Sequence, residues 1–94
     1  MSRRDILNQI ELENSIVFEN PDYDSAIIGY DDVSHRIIYD YELMVESLMN
    51  EAHLTYEDAV DFIEYNTIRS LPYLGENAPI VMRSIVDFID YSQI

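Results

Sequence analysis

Apolar and acidic residues alternate with helical spacing in the middle of the chain. At 100° per residue, one side of residues 41–53 is apolar and the opposite side is polar. The apolar side comprises Tyr41, Met44, Val45, Leu48, Met49 and Ala52, and the polar side comprises Glu42, Glu46, Asn50 and His53. Asp40 precedes the segment and is a residue type that caps helix amino termini. The pattern therefore predicts an amphipathic helix over 41–53 with its apolar side in the core.

Capping residues and apolar spacing predict further helices. Ser2 and Asp5 have the spacing of a capping box, which predicts a helix that ends near residue 13. Thr55 and Asp58 have the same spacing and predict a helix over 56–68, before Arg69. The stripe that we expect in the core of this helix comprises Tyr56, Ala59, Val60 and Ile63. Over 79–91 the apolar spacing favours a helix, and an edge strand over 78–82 is the alternative.

β-branched and aromatic residues dominate residues 25–30 and 36–41, which flank a five-residue loop and predict a β-hairpin. Residues 15–18 form another short run of this type before the turn at Pro21, and we interpret it as a short strand. The sequence thus predicts an α+β fold, a β-hairpin or three short antiparallel strands packed against three to four short helices. Its length predicts a single domain over 1–94 with a modest core, for which a homodimer through a helix face is a reasonable expectation.

The composition changes this picture through its charge. The 94 residues include five arginines, no lysine and 19 acids, so the formal net charge is −14. Direct binding to nucleic acid or to an anionic membrane surface requires clustered cations, and we expect neither. The chain has no cysteine, which excludes disulfides and thiol chemistry. We also find no signal-peptide pattern and no apolar run of membrane-spanning length, so we expect a cytoplasmic protein, in a host cell if a phage encodes it.

The sequence lacks the common motifs of catalytic and metal sites. His35 and His53 are too far apart in sequence for a helical zinc motif. The acidic segments that begin at Asp22 and Asp31 lack the ligand spacing of a calcium loop. No glycine-rich phosphate loop or serine-nucleophile motif is present. We therefore expect no enzyme: no catalytic residue, no metal and no cofactor.

The acids concentrate in the two central helices. Residues 37–68 contain eight acids and no arginine. Glu57, Asp61 and Glu64 fall on one helix face, where with Asp58 they place one charge per about 3.5 Å, close to the phosphate spacing of a DNA strand. The alternative is an ordinary solvated face. The candidate partner-binding residues are Asp40, Glu42, Glu46, Glu57, Asp58, Asp61, Glu64 and Tyr65.

Two residues near the end of the second central helix each have two interpretations. Tyr65 is either an exposed interface anchor or part of a cluster with Phe62 and Ile68 that packs under the carboxy-terminal helix. Arg69 either orients an acidic group of a partner or complements the carboxy terminus of its own helix, where it can pair with Glu64. For Arg69 we favour the structural interpretation.

Several segments together carry a family resemblance. They are Tyr23–Gly29 (YDSAIIG), Tyr39–Val45 (YDYELMV), Tyr56–Val60 (YEDAV), Tyr65–Tyr73 (YNTIRSLPY) and Ala78–Met82 (APIVM). Over about residues 18–82 the chain resembles small acidic proteins of unknown function that are encoded by phages, prophages and Firmicutes. The resemblance implies a genomic setting in which small proteins often block a host or defence protein, some by imitating the charge of DNA.

These observations support one leading hypothesis and two alternatives. The leading hypothesis is a non-enzymatic inhibitor that binds the basic surface of a nucleic-acid-binding protein through its acidic helices. The first alternative is a homodimeric structural or adaptor module whose charge only provides solubility. The second alternative is an enzyme in which carboxylates hold a divalent metal.

Overall fold

The computed structural model describes residues 2–12 and 15–85. The first helix, α1, spans Arg3–Gln9. Its predicted capping box is confirmed, because the Ser2 hydroxyl accepts from the Asp5 N–H while the Asp5 carboxylate accepts from the Ser2 N–H. The helix ends before residue 13, since Glu11 has a left-handed backbone conformation, with a φ of 64°, that no α-helix continues.

The predicted hairpin is confirmed and forms part of a three-stranded mixed sheet. Strand β1 spans Ile27–Tyr30, strand β2 spans Ile37–Asp40 and strand β3 spans Ile80–Met82, in the order β1-β2-β3. β1 and β2 pair antiparallel with a bulge between Ile27 and Gly29, whereas β2 and β3 pair parallel. β2 is therefore the central strand, and β1 and β3 form the two edges.

The third strand of the sheet comes from residues 80–82 and not from residues 15–18. The predicted strand over residues 15–18 is wrong, because the Phe18 N–H donates to the Tyr39 hydroxyl at 3.1 Å instead of joining the sheet. The edge strand that was the alternative over 78–82 is confirmed as β3, whereas the helix favoured over 79–91 is wrong for residues 80–82. This strand pairs parallel with β2, not antiparallel. The hairpin leaves one edge of β2 open, and the β-branched residues Ile80 and Val81 suit that edge. The part of this prediction over 86–91 lies outside the described residues.

Two central helices connect β2 to β3. Helix α2 spans Tyr41–Glu51 and helix α3 spans Tyr56–Phe62. Both predicted caps are confirmed: the Asp40 carboxylate accepts from the Leu43 N–H at 2.9 Å, and the Thr55 hydroxyl accepts from the Asp58 N–H at 3.1 Å. The chain continues past α3 as a π-helical segment, Ile63–Ile68, and reaches β3 through a 3₁₀ turn, Leu71–Leu74. The prediction of a continuous helical segment that ends near Arg69 is thus correct in extent, although not in helix type.

The core lies between the sheet and these helices. Its fully buried side chains include Tyr23, Ile37, Tyr39, Met44, Val45 and Ile63. The predicted apolar sides are wrong at three positions. Met49 is 37% exposed and Ala52 is exposed, because both lie at the carboxy-terminal end of α2. Tyr56 is 50% exposed at the first position of α3.

The buried polar residues Thr67 and Ser47 both form hydrogen bonds. The Tyr23 hydroxyl and the Thr67 hydroxyl lie 2.8 Å apart and connect the segment before β1 to the π-helical segment. Ser47 is buried on α2, where its hydroxyl donates to Glu51 at 3.3 Å. Because an unpaired buried hydroxyl is costly, these bonds explain how polar residues occur in the core.

Candidate functional site

Most of the predicted partner-binding acids lie on the exposed surface of α2 and α3. The exposed members are Glu42, Glu46, Glu57, Asp58 and Asp61. Within the part of the chain that the structure describes, none of these five forms an ion pair. We call these five residues the acidic helix surface. Their exposure leaves the carboxylates available to an external cation.

Asp40 and Glu64 have contacts within the protein instead. Asp40 is half-buried and caps α2. Glu64 is half-buried, accepts a hydrogen bond from the Tyr41 hydroxyl at 2.9 Å and forms an ion pair with Arg83. Glu64 lies in the π-helical segment, where hydrogen bonds run from i to i+5, so the angle per residue assumed for an α-helix does not apply. The shared face of Glu64 with Glu57 and Asp61 therefore stays a prediction, and Glu64 differs from those two acids because its carboxylate is paired within the protein.

Tyr65 and its neighbours separate into exposed and packed residues. Tyr65 is 64% exposed, whereas Phe62 and Ile68 pack against the core. The interpretation that all three residues pack together is therefore wrong for Tyr65. The predicted helix under which they were expected to pack is a strand over 80–82, and its part over 86–91 lies outside the described residues. The Arg69 guanidinium lies 5.3 Å from the centre of the Tyr65 ring, a distance typical of a cation–π contact.

The positions of the arginines explain why the acidic helix surface remains unpaired. Arg3 donates to the carbonyls of Ser25 and Ile27, both at 2.7 Å. Arg36 donates to the carbonyl of Ala78 at 2.6 Å. Both guanidinium groups bind the backbone and not the acids of α2 and α3.

The other amino-terminal arginine, Arg4, forms the main ion pairs on its side of the molecule. It contacts Asp24 at 2.8 Å and Glu19 at 3.6 Å, and it also donates to the carbonyl of Phe18 at 3.1 Å. Burial lowers the pKa of Arg4, but the hydrogen bond to Asp24 and the charges of Asp24 and Glu19 together outweigh this effect and raise the pKa. Arg4 therefore neutralises acids next to α1, far in sequence from those of the central helices.

Tyr41, Glu64 and Arg83 form a compact cluster beside the acidic helix surface. The Arg83 guanidinium carbon lies 3.8 Å from the centre of the Tyr41 ring, and the same guanidinium pairs with Glu64. Two effects raise the pKa of the Tyr41 phenol to about 12: its burial, which is the larger, and its hydrogen bond to Glu64. On the adjacent α3, the Tyr56 hydroxyl lies 3.5 Å from the Glu42 carboxylate. The cluster and this neighbouring Glu42–Tyr56 pair together provide two acids, two phenols and one guanidinium.

The sequence contained no signal for the role of Arg83. Arg83 follows β3 directly and is 19 residues from Glu64, so no helical or strand spacing connects them. Only the parallel addition of β3 next to β2 brings Arg83 to Tyr41, the residue that follows β2. That pairing aligns Met82 with Asp40, the residues immediately before each of them.

The described residues contain few other side-chain arrangements that could bind a metal or take part in catalysis. In residues 2–12 and 15–85, no group of three or more His, Asp or Glu side chains could hold a metal ion. His35 and His53 are both exposed, and both have left-handed backbone conformations in loops. Neither histidine forms an ion pair among the described residues.

An apolar groove lies on the opposite edge of the sheet, between α1 and β1. It has a volume of about 420 Å³, and its exposed apolar side chains are Ile6, Ile10, Ile28 and Tyr30, each 42–47% exposed. Groups of exposed apolar side chains on one surface are typical of interaction sites. Composition did not indicate this groove, because it forms only when α1 packs beside β1.

Two further findings concern membrane spans and similarity to known proteins. No helix in residues 2–12 or 15–85 is both long enough and apolar enough to cross a membrane. Comparison of the chain with protein-family models, with curated proteins and with solved structures finds no significant match in any of the three.

Proposed function

We propose that the protein is a non-enzymatic, phage-type inhibitor that binds the basic surface of a nucleic-acid-binding protein, such as a host or defence protein, and acts by charge mimicry of DNA. The observation that carries this proposal is the acidic helix surface, in which five exposed carboxylates have no ion-pair partner among the described residues. An unpaired acidic surface on a chain with a net charge of −14 attracts basic partners over long distances.

The local cost of this arrangement supports a role beyond solubility. Glu42 and Glu46 have i,i+4 spacing on α2, and Glu57 and Asp61 have the same spacing on α3. Each such like-charge pair destabilises a helix by about 0.2–0.5 kcal/mol. Solubility alone requires only a mixed surface with a non-zero net charge, in which a lysine at one of these positions would remove the repulsion.

Exposed tyrosines near the acids are suitable interface anchors. Tyr56 is 50% exposed, Tyr65 is 64% exposed and Tyr73, in the following 3₁₀ turn, is 89% exposed. Tyrosine contributes a large contact area with little loss of side-chain entropy, and it is common among residues that dominate binding energies. In this proposal the acids steer the partner and the tyrosines provide contact area.

The test is capture of partners from a bacterial lysate, followed by a competition assay with duplex DNA. We expect a partner with a basic nucleic-acid groove, and we expect its retention to fall steeply between roughly 50 mM and 500 mM salt, as the Debye length shortens from about 14 Å to 4 Å. Duplex DNA should compete with the protein for this partner. Retention that is independent of salt, or a complex that duplex DNA does not affect, would contradict the proposal.

The second candidate function is a homodimeric structural or adaptor module. The apolar groove between α1 and β1 favours it, because Ile6 and Ile10 provide the exposed helix surface that such a dimer requires. Replacement of Ile6 and Ile10 by serine, compared with reversal of Glu57 and Asp61 to lysine, separates the two candidates. An adaptor should lose its dimer and its partner with the serine variant only, whereas an inhibitor of the proposed kind should lose its partner with the lysine variant only.

A further inference from the structure

The cluster around Tyr41 has the chemistry of a binding site that is already occupied. An aromatic ring and a carboxylate are the two groups that bind a guanidinium best, through stacking on the ring face and through a charge-assisted hydrogen bond. Here the Arg83 guanidinium carbon lies 3.8 Å from the centre of the Tyr41 ring, and the group pairs with Glu64. The ligand chemistry of the cluster can therefore be determined from the residue that occupies it.

We propose that Tyr41 and Glu64 form a guanidinium-binding site for an arginine of the partner, and that Arg83 occupies this site until the partner's arginine displaces it. The inference rests on the proposed function, since it specifies which basic group of the partner binds this protein beside the acidic helix surface.

The two sides of the site differ in exposure. Tyr41 is 3% exposed, and its hydroxyl donates to Glu64 at 2.9 Å, which orients the carboxylate. By contrast, the Arg83 side chain is 60% exposed. The receptor half is thus held by the core, whereas the occupant is a solvated side chain at the end of an edge strand. Exposed ion pairs contribute little free energy, so exchange of Arg83 for another guanidinium is inexpensive.

The surroundings of the site determine which partner groups can reach it. Glu42 lies next to Tyr41 in α2, and its carboxylate is 3.5 Å from the Tyr56 hydroxyl. A second cation beside the displacing arginine would therefore meet a second carboxylate and a second phenol. The site fits an arginine-rich segment better than a lysine-rich one, because a planar guanidinium stacks on a ring and forms a directed pair with a carboxylate at the same time.

A contact elsewhere in the molecule provides a matched control. Arg69 also lies over a tyrosine ring, that of Tyr65, at 5.3 Å, but it forms no ion pair among residues 2–12 and 15–85. Replacement of Arg69 by alanine changes the net charge by the same amount as replacement of Arg83. It does not vacate a site that combines a ring with a carboxylate.

The experiment measures the affinity of an Arg-Arg-Arg peptide and of a Lys-Lys-Lys peptide for the full chain by isothermal titration calorimetry at constant salt. For Arg83→Ala we expect the arginine peptide to bind about 3- to 10-fold more tightly than it binds the unmodified protein, because the internal competitor is gone. For Arg69→Ala we expect a change of less than about 2-fold. The lysine peptide should gain less than the arginine peptide from Arg83→Ala. Equal gains in the two alanine variants, or equal gains for the two peptides, would overturn the proposal.

A second measurement uses the unmodified protein and so does not depend on the folding of a variant. The ring resonances of Tyr41 are followed by NMR during titration with each peptide. Displacement of Arg83 by the arginine peptide should shift these resonances, and the lysine peptide should shift them less. If both peptides leave the Tyr41 resonances unchanged while they bind, the site does not accept an external guanidinium.

These outcomes are distinguishable from those of the lysate experiment. If the arginine peptide binds as described but no basic partner is captured, the guanidinium site exists and the proposed inhibitory function is wrong. If a basic partner is captured in a salt-dependent manner but Arg83→Ala has no effect on peptide binding, the acidic helix surface acts without this site.

Discussion

The amino-terminal region and the central helices differ in whether their acids form ion pairs. Beside α1, Glu19 and Asp24 share the guanidinium of Arg4. On α2 and α3, Glu46 and Asp61 are exposed and have no ion-pair partner among the described residues. The difference shows that the placement of five arginines, more than the number of acids, determines where negative charge remains available.

The same comparison applies to stability. Arg4 connects α1 to the segment before β1 through one side chain that contacts two carboxylates and one carbonyl. The acids of α2 and α3 contribute no comparable connection and repel one another at i,i+4 spacing. Charge should therefore stabilise the first region and destabilise the second, and variants in each region test this expectation.

The largest effect is expected for Arg4→Met. This replacement leaves Asp24 without its cation and removes the hydrogen bond to the Phe18 carbonyl. We expect the free energy of unfolding, measured by urea denaturation, to fall by about 1–3 kcal/mol. Arg69→Met is the control, because its contact is with an exposed ring, and it should cost less than about 1 kcal/mol. Equal losses in the two variants would remove the distinction between the regions.

A smaller effect of opposite sign is expected for Asp61→Lys. The change replaces the repulsion between Glu57 and Asp61 with an i,i+4 Glu–Lys pair in the favourable orientation, so the free energy of unfolding should rise by about 0.5 kcal/mol. The gain should diminish at high salt. The same variant should bind the captured partner less tightly. If the variant is less stable than the original protein, then Asp61 makes stabilising contacts that outweigh its repulsion with Glu57.

An effect confined to alkaline pH concerns the titration of two buried tyrosines. Burial raises the pKa of Tyr39 to about 12, and burial with the Glu64 hydrogen bond raises that of Tyr41 to about 12. Tyrosine in an unfolded chain has a pKa near 10. Folding therefore favours the neutral phenols, so their contribution to stability is complete below about pH 10 and is lost as pH rises through about 12.

One variant distinguishes the two tyrosines. Because Glu64 raises the pKa of Tyr41 and is not among the groups that shift the pKa of Tyr39, Glu64→Gln should lower the pKa of Tyr41 and leave that of Tyr39 unchanged. Ultraviolet absorbance of the phenolates, with Tyr41→Phe to assign the transitions, measures both values. An unchanged Tyr41 transition in Glu64→Gln would show that the charge of Glu64 does not act on the phenol of Tyr41.

Local signals predicted much of the fold. Ser2, Asp40 and Thr55 all cap the helices that they were expected to cap, because capping depends on residues within one turn. The hairpin was predictable for the same reason, since its two strands are separated by one short loop. The sequence offered an edge strand over 78–82 only as the alternative to a helix and did not indicate its parallel pairing. The partner strand β2 is about 40 residues earlier in the chain, and the choice between helix and strand over 80–82 depends on that open edge.

The candidate site was predictable in composition but not in geometry. The pattern correctly placed Glu42, Glu46 and Asp61 on exposed helix surface. It did not indicate that Glu64 is paired within the protein, since nothing in the sequence pointed to the π-helical segment or to the hydrogen bond between Glu64 and Tyr41. The guanidinium that completes the cluster comes from Arg83, and that contact also depends on the parallel pairing of β3.

The most direct test of the central claim is the affinity of a captured nucleic-acid-binding partner for the unmodified protein and for the Glu57→Lys/Asp61→Lys double variant, each measured at low and at high salt. If the acidic helix surface mimics DNA, the unmodified protein should bind tightly at low salt and weakly at high salt, and the double variant should bind weakly at both. If the double variant retains the affinity and the salt dependence of the unmodified protein, then the acidic helix surface is not the binding site.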